Sequence, residues 1–430
     1  MSKVDDLLLV EERTRPISTM SVNLASGQLS DPEGKEGLAF LTAQMLTRGT
    51  KHKSQAEISE ALDTLGSHFG ISVSRETTCV IGDALTRNFD TFEELVREIL
   101  CEPSFPEEEL AKLKRQTIAE LQQVRDNDAA LAKRFFVRSF YGDHAYGRPL
   151  RGSEESLKRI TREDIISFYE RHYSAHDLIS GACGDLSRER FHTYVERITG
   201  GLKAGPQTPC HIETPMKWDK GYRLDLIDKP DRSQTQVFIG HPTLDANHED
   251  YIALYLAHVI FGGTFTARLS QEIREKRGWS YGAYSYLHGD KHFGTFILRF
   301  YPGLADTIPA VEVADQLFRD YVAEGPSEEE LENARRYIVN SHPMTLETAE
   351  KRLHEQIACR MLGRSTSWLQ SFIPKIKSLT LDDLNKAIKA HLSPDDVLTT
   401  IVCTAAGLSD KLSNWKRPDK TRVLDYESLG

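Results

Sequence analysis

The feature that most constrains this sequence is an internal repeat that spans nearly the whole chain. Three segments of the first half recur in the second half in the same order: residues 39–50 and 253–264, 107–110 and 328–331, and 161–165 and 380–384. Their offsets are nearly equal, at 264 − 50 = 214, 328 − 107 = 221 and 380 − 161 = 219 residues. A constant order at nearly constant offset predicts two duplicated, domain-sized halves.

The domain boundaries follow from this repeat. A chain of 430 residues is too long for a single core. We place the first domain at residues 1–205, a linker at 206–218, where Gly, Pro, Thr and Lys replace the apolar periodicity, and the second domain at 219–430. Blocks of strands and helices in each half predict an α+β fold, in which each domain has a mostly antiparallel sheet with helices packed on one face.

Local signals add detail to the first half. A helix is expected to be capped by Ser30 or Asp31, with Pro32 in its first turn, and to end at Gly49. The other local predictions are a hairpin and two helices: residues 70–74 with 80–84, 90–100, and 106–124.

In the second half, residues 262–281 predict a glycine turn, a helix, a glycine stop and a strand over residues 279–286. Thr264 or Thr266 is expected to cap the helix, and Gly278 to end it in the left-handed conformation. This turn would bring Arg274 and Tyr281 together as two hydrogen-bond donors for one carbonyl or oxyanion. The residues alone fit equally a helix end followed by an ordinary strand tyrosine.

Charge, hydropathy and cysteine spacing limit the partners, the location and the redox chemistry that this chain can be expected to have. The formal net charge of −10 and the absence of a Lys/Arg run argue against nucleic acid as a partner. The N-terminus shows no secretory signal, and we see no run long enough to span a bilayer, so a cytoplasmic location without membrane partners is expected. Without any C-x-x-C pair, the six cysteines are expected to be buried free thiols: Cys79, Cys101, Cys183, Cys210, Cys359 and Cys403.

A series of motifs resembles the pitrilysin-type (inverted zincin) metallopeptidase family, which includes the bacterial and mitochondrial processing peptidases. The resemblance extends from about Val22 to Val402. Its motifs lie at residues 37–39, 45–50, 103–109, 142–149, 156–173, 184–185, 240–242, 262–263, 274–281 and 343–348. Any one of these motifs is weak evidence, but the ordered set is specific.

The resemblance also shows what this chain lacks. Active family members carry His-x-x-Glu-His on the helix after Gly-Leu-Ala, because two histidines four residues apart share a helix face and can bind one zinc ion. The three matching positions here are Phe40, Ala43 and Gln44. The family's third ligand falls near Glu120, and a lone carboxylate does not hold a catalytic zinc. We therefore expect no metal in this chain.

No other group of histidines is expected to replace that site. His172 and His176 are predicted to be a surface pair, and His288 and His292 to flank a hairpin turn. His258 aligns with Gln44 through the repeat and is expected to be packed or exposed rather than a ligand.

By contrast, the resemblance implies a substrate-binding role for Arg274 and Tyr281. In the family, an arginine and a tyrosine seven residues apart bind the scissile carbonyl and stabilise the tetrahedral intermediate, and here 281 − 274 = 7. The implied function is that of the zinc-less subunit of a heterodimeric metallopeptidase. Its partner would be a homologous subunit with an intact zinc motif, which would hold the zinc, and the substrate would be a peptide or unfolded polypeptide.

Two alternatives remain open at this point. The chain could be a catalytically inactive scaffold or peptide-binding protein, and in isolation it could form a homodimer. It could also be an independent hydrolase with a relocated site, although Gly-x-Ser-x-Gly is absent.

Overall fold

The computed structural model describes residues 7–176, 178–202, 212 and 216–428. It divides into two compact units. The first unit comprises Met1–Gln122, Arg148–Ile212 and Met344–Met361, and the second comprises Gln123–Gly147, Glu213–Pro343 and Leu362–Gly430. Of the predicted linker, only residues 212 and 216–218 lie within the described part of the chain.

The described residues of the first half of the chain form five strands and eight α-helices. The strands are β1 (Leu8–Glu11), β2 (Ile17–Leu24), β3 (His68–Val73), β4 (Thr78–Leu85) and β5 (Ile179–Gly184). The helices are α1 (Leu38–Met45), α2 (Gln55–Leu65), α3 (Phe89–Cys101), α4 (Glu107–Gln123), α5 (Asp128–Tyr141), α6 (Glu154–Arg159), α7 (Arg162–His172) and α8 (Arg188–Gly201).

In the second half, the part of the chain that the structure describes forms six strands, eight α-helices and two π-helical segments. The strands are β6 (Arg223–Asp228), β7 (Gln236–Thr243), β8 (Ala283–Gly289), β9 (Gly294–Phe300), β10 (Leu398–Cys403) and β11 (Lys420–Asp425). The α-helices are α9 (Tyr251–His258), α10 (Arg268–Ser270), α11 (Thr307–Glu324), α12 (Glu328–Thr345), α13 (Ala349–Met361), α14 (Ser367–Ser378), α15 (Leu381–His391) and α16 (Ser409–Asn414). The π-helical segments are Val259–Gly263 and Gln271–Lys276.

The two sheets share one topology. The first unit has the strand order β1-β5-β2-β4-β3, and the second has β11-β6-β10-β7-β9-β8. Strands β6, β7, β8, β9 and β10 therefore take the places of β1, β2, β3, β4 and β5, with start offsets of 215, 219, 215, 216 and 219 residues. Only β1–β5 in the first sheet, and β6–β10 and β6–β11 in the second, pair in parallel. The predicted α+β class with two repeated, mostly antiparallel domains is confirmed.

Each unit also contains one helix from the other half of the chain. In the first unit, Cys183 of β5 packs with Leu353 and Ile357 of α13, whereas the adjacent Ala182 belongs to the main core. Successive strand residues point to opposite faces, so α13 covers the face that the main core leaves open. In the second unit, Phe136 of α5 packs against β7 in the same way. The sequence analysis predicted helices on one face only and did not foresee this second layer.

Helix α9 and its continuation form the most apolar segment of the second unit. By length and composition, Tyr251–Lys276 is the one stretch among the described residues that could cross a membrane, which the sequence analysis did not identify. Most of it is buried inside the protein, with Leu254, Leu256 and Phe261 fully enclosed. The core helix of a globular domain has the same properties.

Five of the six cysteines are described, and all five are free thiols, as predicted. Cys183, Cys359 and Cys403 are buried, whereas Cys79 and Cys101 are half-buried. Burial raises the pKa of Cys101 to about 11, so its thiol is unreactive at neutral pH. Cys210 lies outside the described residues.

Candidate functional site

Helix α1 carries the three positions that match the His-x-x-Glu-His signature of related enzymes, in which the two histidines bind zinc and the glutamate acts on the zinc-bound water. Ala43 is buried, and Phe40 and Gln44 are half-buried. The Gln44 amide donates a hydrogen bond to the backbone oxygen of Ile71 on β3, at 3.2 Å, so this side chain ties the helix to the edge strand. A phenyl ring and a methyl group offer no donor atom to a metal.

Glu120, which lies near the position of the family's third zinc ligand, forms an ion pair with an arginine. Arg151 donates to Oε2 of Glu120 at 2.6 Å, and its guanidinium carbon lies 5.2 Å from the centre of the Phe40 ring. One cation therefore bridges the carboxylate and the ring in the region where a metal would need several anionic or neutral donors. This arrangement does not fit a zinc ion.

The start of α1 differs from the prediction. The helix begins at Leu38, after Gly37 in the left-handed region at φ 95°, so Pro32 is not in its first turn. The Asp31 carboxylate nevertheless caps it, because it accepts from the backbone N–H groups of Gly37 and Ala39 at 2.7 Å each. Asp31 is buried, and this burial raises its pKa to about 7.

Arg274 and Tyr281 lie together on the surface of the second unit. The Arg274 guanidinium carbon is 5.1 Å from the centre of the Tyr281 ring and 3.9 Å from that of Phe265. Tyr281 is 81% exposed and Phe265 is 48% exposed, so the group opens to solvent. We name Phe265, Arg274 and Tyr281 the aromatic–arginine cluster.

The chain fold around this cluster is less regular than predicted. Neither Thr264 nor Thr266 caps α10, because the helix begins after Ala267 without a side-chain cap. Arg274 lies in the π-helical segment, a rare geometry that is common at functional sites. Gly278 adopts φ 65°, as predicted, and its N–H bonds to the Arg274 oxygen. The strand starts at Ala283, so Tyr281 precedes it in a loop.

The cluster presents hydrogen-bond donors. Rings that contact the faces of a guanidinium leave its in-plane N–H groups free to bond elsewhere. One of these groups, Nε of the half-buried Arg274, lies 3.6 Å from a carboxylate oxygen of the more exposed Glu275, which makes a long and weak ion pair. A peptide carbonyl or an oxyanion is a suitable acceptor for these N–H groups and for the Tyr281 hydroxyl.

The structure revises the predicted exposure of one histidine, His172, and shows the contacts of another, His258. His172 is half-buried rather than fully exposed: its ring lies 4.4 Å from that of Phe168, and burial lowers its pKa to about 4. His258 is packed, with Nδ1 within 2.8 Å of the Ser285 hydroxyl, and burial lowers its pKa to about 4 as well. Both rings are therefore neutral at pH 7.

His288 and His292 flank a β8–β9 hairpin turn, as predicted, in which Asp290 N–H bonds to the Phe293 oxygen.

Sequence reasoning missed Phe265 and Arg151. Phe265 was visible only as an apolar residue two positions after the glycine pair, where a turn would normally be polar. Arg151 lies in a loop, and no periodic pattern links it to Phe40 or Glu120.

Two sequence models of known families match the chain. The model described as "Insulinase (Peptidase family M16)" matches residues 7–154, and that described as "Peptidase M16 inactive domain" matches residues 159–338. Among curated relatives, an "uncharacterized zinc protease" of Rickettsia bellii is 27% identical over 81% of this chain and 84% of its own length. The "Non-peptidase homolog YmxG" of Helicobacter pylori is 24% identical over 87% of this chain and 86% of its own length.

Solved structures show the same fold. The structure described as a peptidase M16 inactive domain from Pseudomonas fluorescens has a TM-score of 0.86 at 26% identity, and covers 92% of this chain and 94% of its own. A Helicobacter pylori structure described as a protease has a TM-score of 0.82 at 17% identity, and covers 93% and 97%. The second likeness concerns the fold alone.

Proposed function

The chain belongs to the M16 (insulinase- and pitrilysin-like) peptidase family as an inactive member, and from this premise we propose that it is the zinc-less subunit of a two-chain metallopeptidase. In this proposal the aromatic–arginine cluster serves the active site of a homologous partner. The partner carries an intact His-x-x-Glu-His helix and holds the zinc ion. The chain itself supplies no cofactor to this reaction and works in the cytoplasm.

The observation that carries the proposal is the contrast between the two candidate sites. The first unit has Phe40, Ala43 and Gln44 where the two zinc ligands and the glutamate of the signature are needed, whereas the second unit keeps the half-buried Arg274 beside the exposed Tyr281. A cation and a phenol at this separation suit a carbonyl oxygen that gains negative charge. Such donors contribute to hydrolysis only beside a group that activates water, and this group must come from another chain.

The proposed substrate is a peptide or an unfolded polypeptide. Both sheets end in a strand with one free edge, β3 in the first unit and β8 in the second. An extended peptide can pair with such an edge through backbone hydrogen bonds, which are largely independent of sequence. Arg274 and Tyr281 would then fix one carbonyl of the bound peptide.

Peptide hydrolysis in the presence of zinc tests this proposal. The chain alone, a homologous zinc-motif subunit alone, and an equimolar mixture are compared on the same fluorogenic peptides. We expect no turnover by the chain alone and a much higher kcat for the mixture than for the zinc-motif subunit. Zinc-dependent hydrolysis by the chain alone would overturn the proposal.

A second candidate is an inactive homodimeric scaffold or peptide-binding protein. The loss of both helix ligands and of the signature glutamate supports it, as does the name of the Helicobacter pylori relative, a non-peptidase homolog. In this case the chain would form a stable dimer with itself and leave the kcat of every zinc-motif subunit unchanged. Size-exclusion chromatography of the chain alone and mixed with such a subunit separates the two candidates.

A further inference from the structure

We propose that His248, Asp250 and His391 of the second unit form a binding site for a divalent transition metal of the Zn²⁺ or Co²⁺ type. One donor atom from each residue lies within 4.8 Å of the other two. Nε2 of His391 is 2.8 Å from Oδ2 of Asp250, and Nδ1 of His248 is 3.8 Å from the same oxygen. These residues take no part in the proposed peptidase function.

The donor set and its spacing match these metals. Two imidazole nitrogens and one carboxylate oxygen are the ligands of many three-residue zinc sites, which keep a fourth position open. Bonds of about 2.0–2.1 Å in a tetrahedral site place neighbouring donor atoms roughly 3.3 Å apart. The two separations of 2.8 and 3.8 Å lie on either side of that value, so small side-chain rotations would suffice.

The backbone holds the three residues in place. His391 is the last residue of α15, and its carbonyl accepts from the Thr243 hydroxyl at 2.9 Å. His248 and Asp250 belong to the turn that leads into α9, where the His248 oxygen accepts from the Tyr251 N–H at 3.1 Å. The donors therefore come from elements that are already ordered, which reduces the entropy lost on metal binding.

An ordinary ion pair explains only part of this arrangement. A cationic His391 at the end of α15 would be favoured by the helix dipole and by Asp250. It would not explain the His248 ring, whose centre lies 4.7 Å from that of His391. A metal ion, by contrast, binds both imidazoles at once.

Two hydrogen bonds already involve the ring nitrogens of His248 and His391 that would bind the metal ion. Nδ1 of His248 accepts the Asp250 backbone N–H at 3.1 Å, so a metal bound at this nitrogen would replace that hydrogen bond. Nε2 of His391 would release its proton when the metal replaces the hydrogen bond to Asp250.

Titration of the metal-free full chain with Co²⁺, followed by visible absorption and by competition with Zn²⁺, tests the proposal. We expect one Co²⁺ per chain with the absorption of a four-coordinate site. His248→Gln, Asp250→Asn and His391→Gln should each weaken binding by at least about tenfold, since even loss of an outer-sphere partner costs that much. Circular dichroism verifies that each variant is folded.

His52→Gln is the matched control, because His52 also pairs with a carboxylate, Glu102, at 3.2 Å but has no second imidazole in that pair. Its affinity and spectrum should equal those of the unaltered chain. The proposal is overturned if the folded chain binds neither metal, if the three variants bind as tightly as the unaltered chain, or if His52→Gln weakens binding equally.

Discussion

The guanidinium of Arg151 lies over the ring of Phe40, 5.2 Å from its centre, and pairs with Glu120 at 2.6 Å. Phe40 stands at the first histidine position of the family's zinc helix, and Glu120 near the third ligand. The loss of zinc is therefore accompanied by a cation that neutralises the remaining carboxylate. Restoring the helix ligands alone would leave this cation in place.

This relationship predicts how zinc binding could be restored. The variant Phe40→His/Ala43→Glu/Gln44→His should bind zinc at least about tenfold more weakly than the same variant with Arg151→Ala, because Arg151 repels the ion and occupies Glu120. Isothermal titration with Zn²⁺ measures the difference, with His391→Gln added to every protein so that the metal site proposed at His391 does not contribute. Arg159→Ala, added to the triple variant in place of Arg151→Ala, is the control, since Arg159 pairs with Glu155 instead. Equal affinity with and without Arg151 would contradict this prediction.

Asp31 predicts a pH dependence of stability. Its folded pKa of about 7 lies above the ordinary value of 3.8, so the folded state keeps a proton that the unfolded chain releases. This contribution is fully present below about pH 4 and is lost as the pH rises to about 7, by up to about 4 kcal/mol. The Asp31→Asn variant has no group at this position that can titrate. The difference in unfolding midpoint, variant minus unaltered chain, should therefore increase between about pH 4 and about pH 7.

Calorimetry at several pH values measures these midpoints, with the exposed Asp63→Asn as the control. A difference between Asp31→Asn and the unaltered chain that stays constant with pH would show that Asp31 is ionised in the folded state.

Phe265 is predicted to position Arg274 for the proposed reaction. An exposed cation–π contact contributes about 0.5–1 kcal/mol, so Phe265→Ala should lower kcat of the two-chain complex roughly 2- to 5-fold. Phe265→Tyr keeps the ring and should restore kcat, with KM similar in all three proteins. If Phe265→Ala raised KM and left kcat unchanged, the ring would bind substrate directly.

The exchanged helix α13 predicts which strands depend on it. Leu353 is 2% exposed and packs beside β5, so Leu353→Ala should destabilise the first unit by about 2–5 kcal/mol. Hydrogen exchange should become faster in β1 and β5, although Leu353 belongs to the second half of the chain. His354→Ala, on the exposed side of the same helix, is the control. Hydrogen exchange in β1 and β5 that is no faster than in the unaltered chain would contradict the packing of α13 in the first unit.

The sequence predicted the repeated architecture because order and offset survive in short motifs, as the equal strand topologies show. It could not predict the exchange of α5 and α13, since an amphipathic pattern shows which helix face is buried but not which sheet it covers. The sequence predicted too early a start for α1, because the capping residue is not next to the helix. Asp31 caps α1 although it lies six residues before Gly37, and the turn between them carries no helix signal. Phe265 and Arg151 were missed because their contacts are tertiary.

The account depends most on Arg274 and Tyr281, and the turnover of the two-chain complex tests them directly. Arg274→Ala and Tyr281→Phe should each lower kcat by roughly 10²-fold, as expected for the loss of one oxyanion donor. Arg277→Ala, which removes a cation three residues further along that contacts Trp279 instead, should change kcat less than about twofold. If the Arg274 and Tyr281 variants turn over peptide as fast as the Arg277 variant, the cluster is structural and the proposed function is wrong.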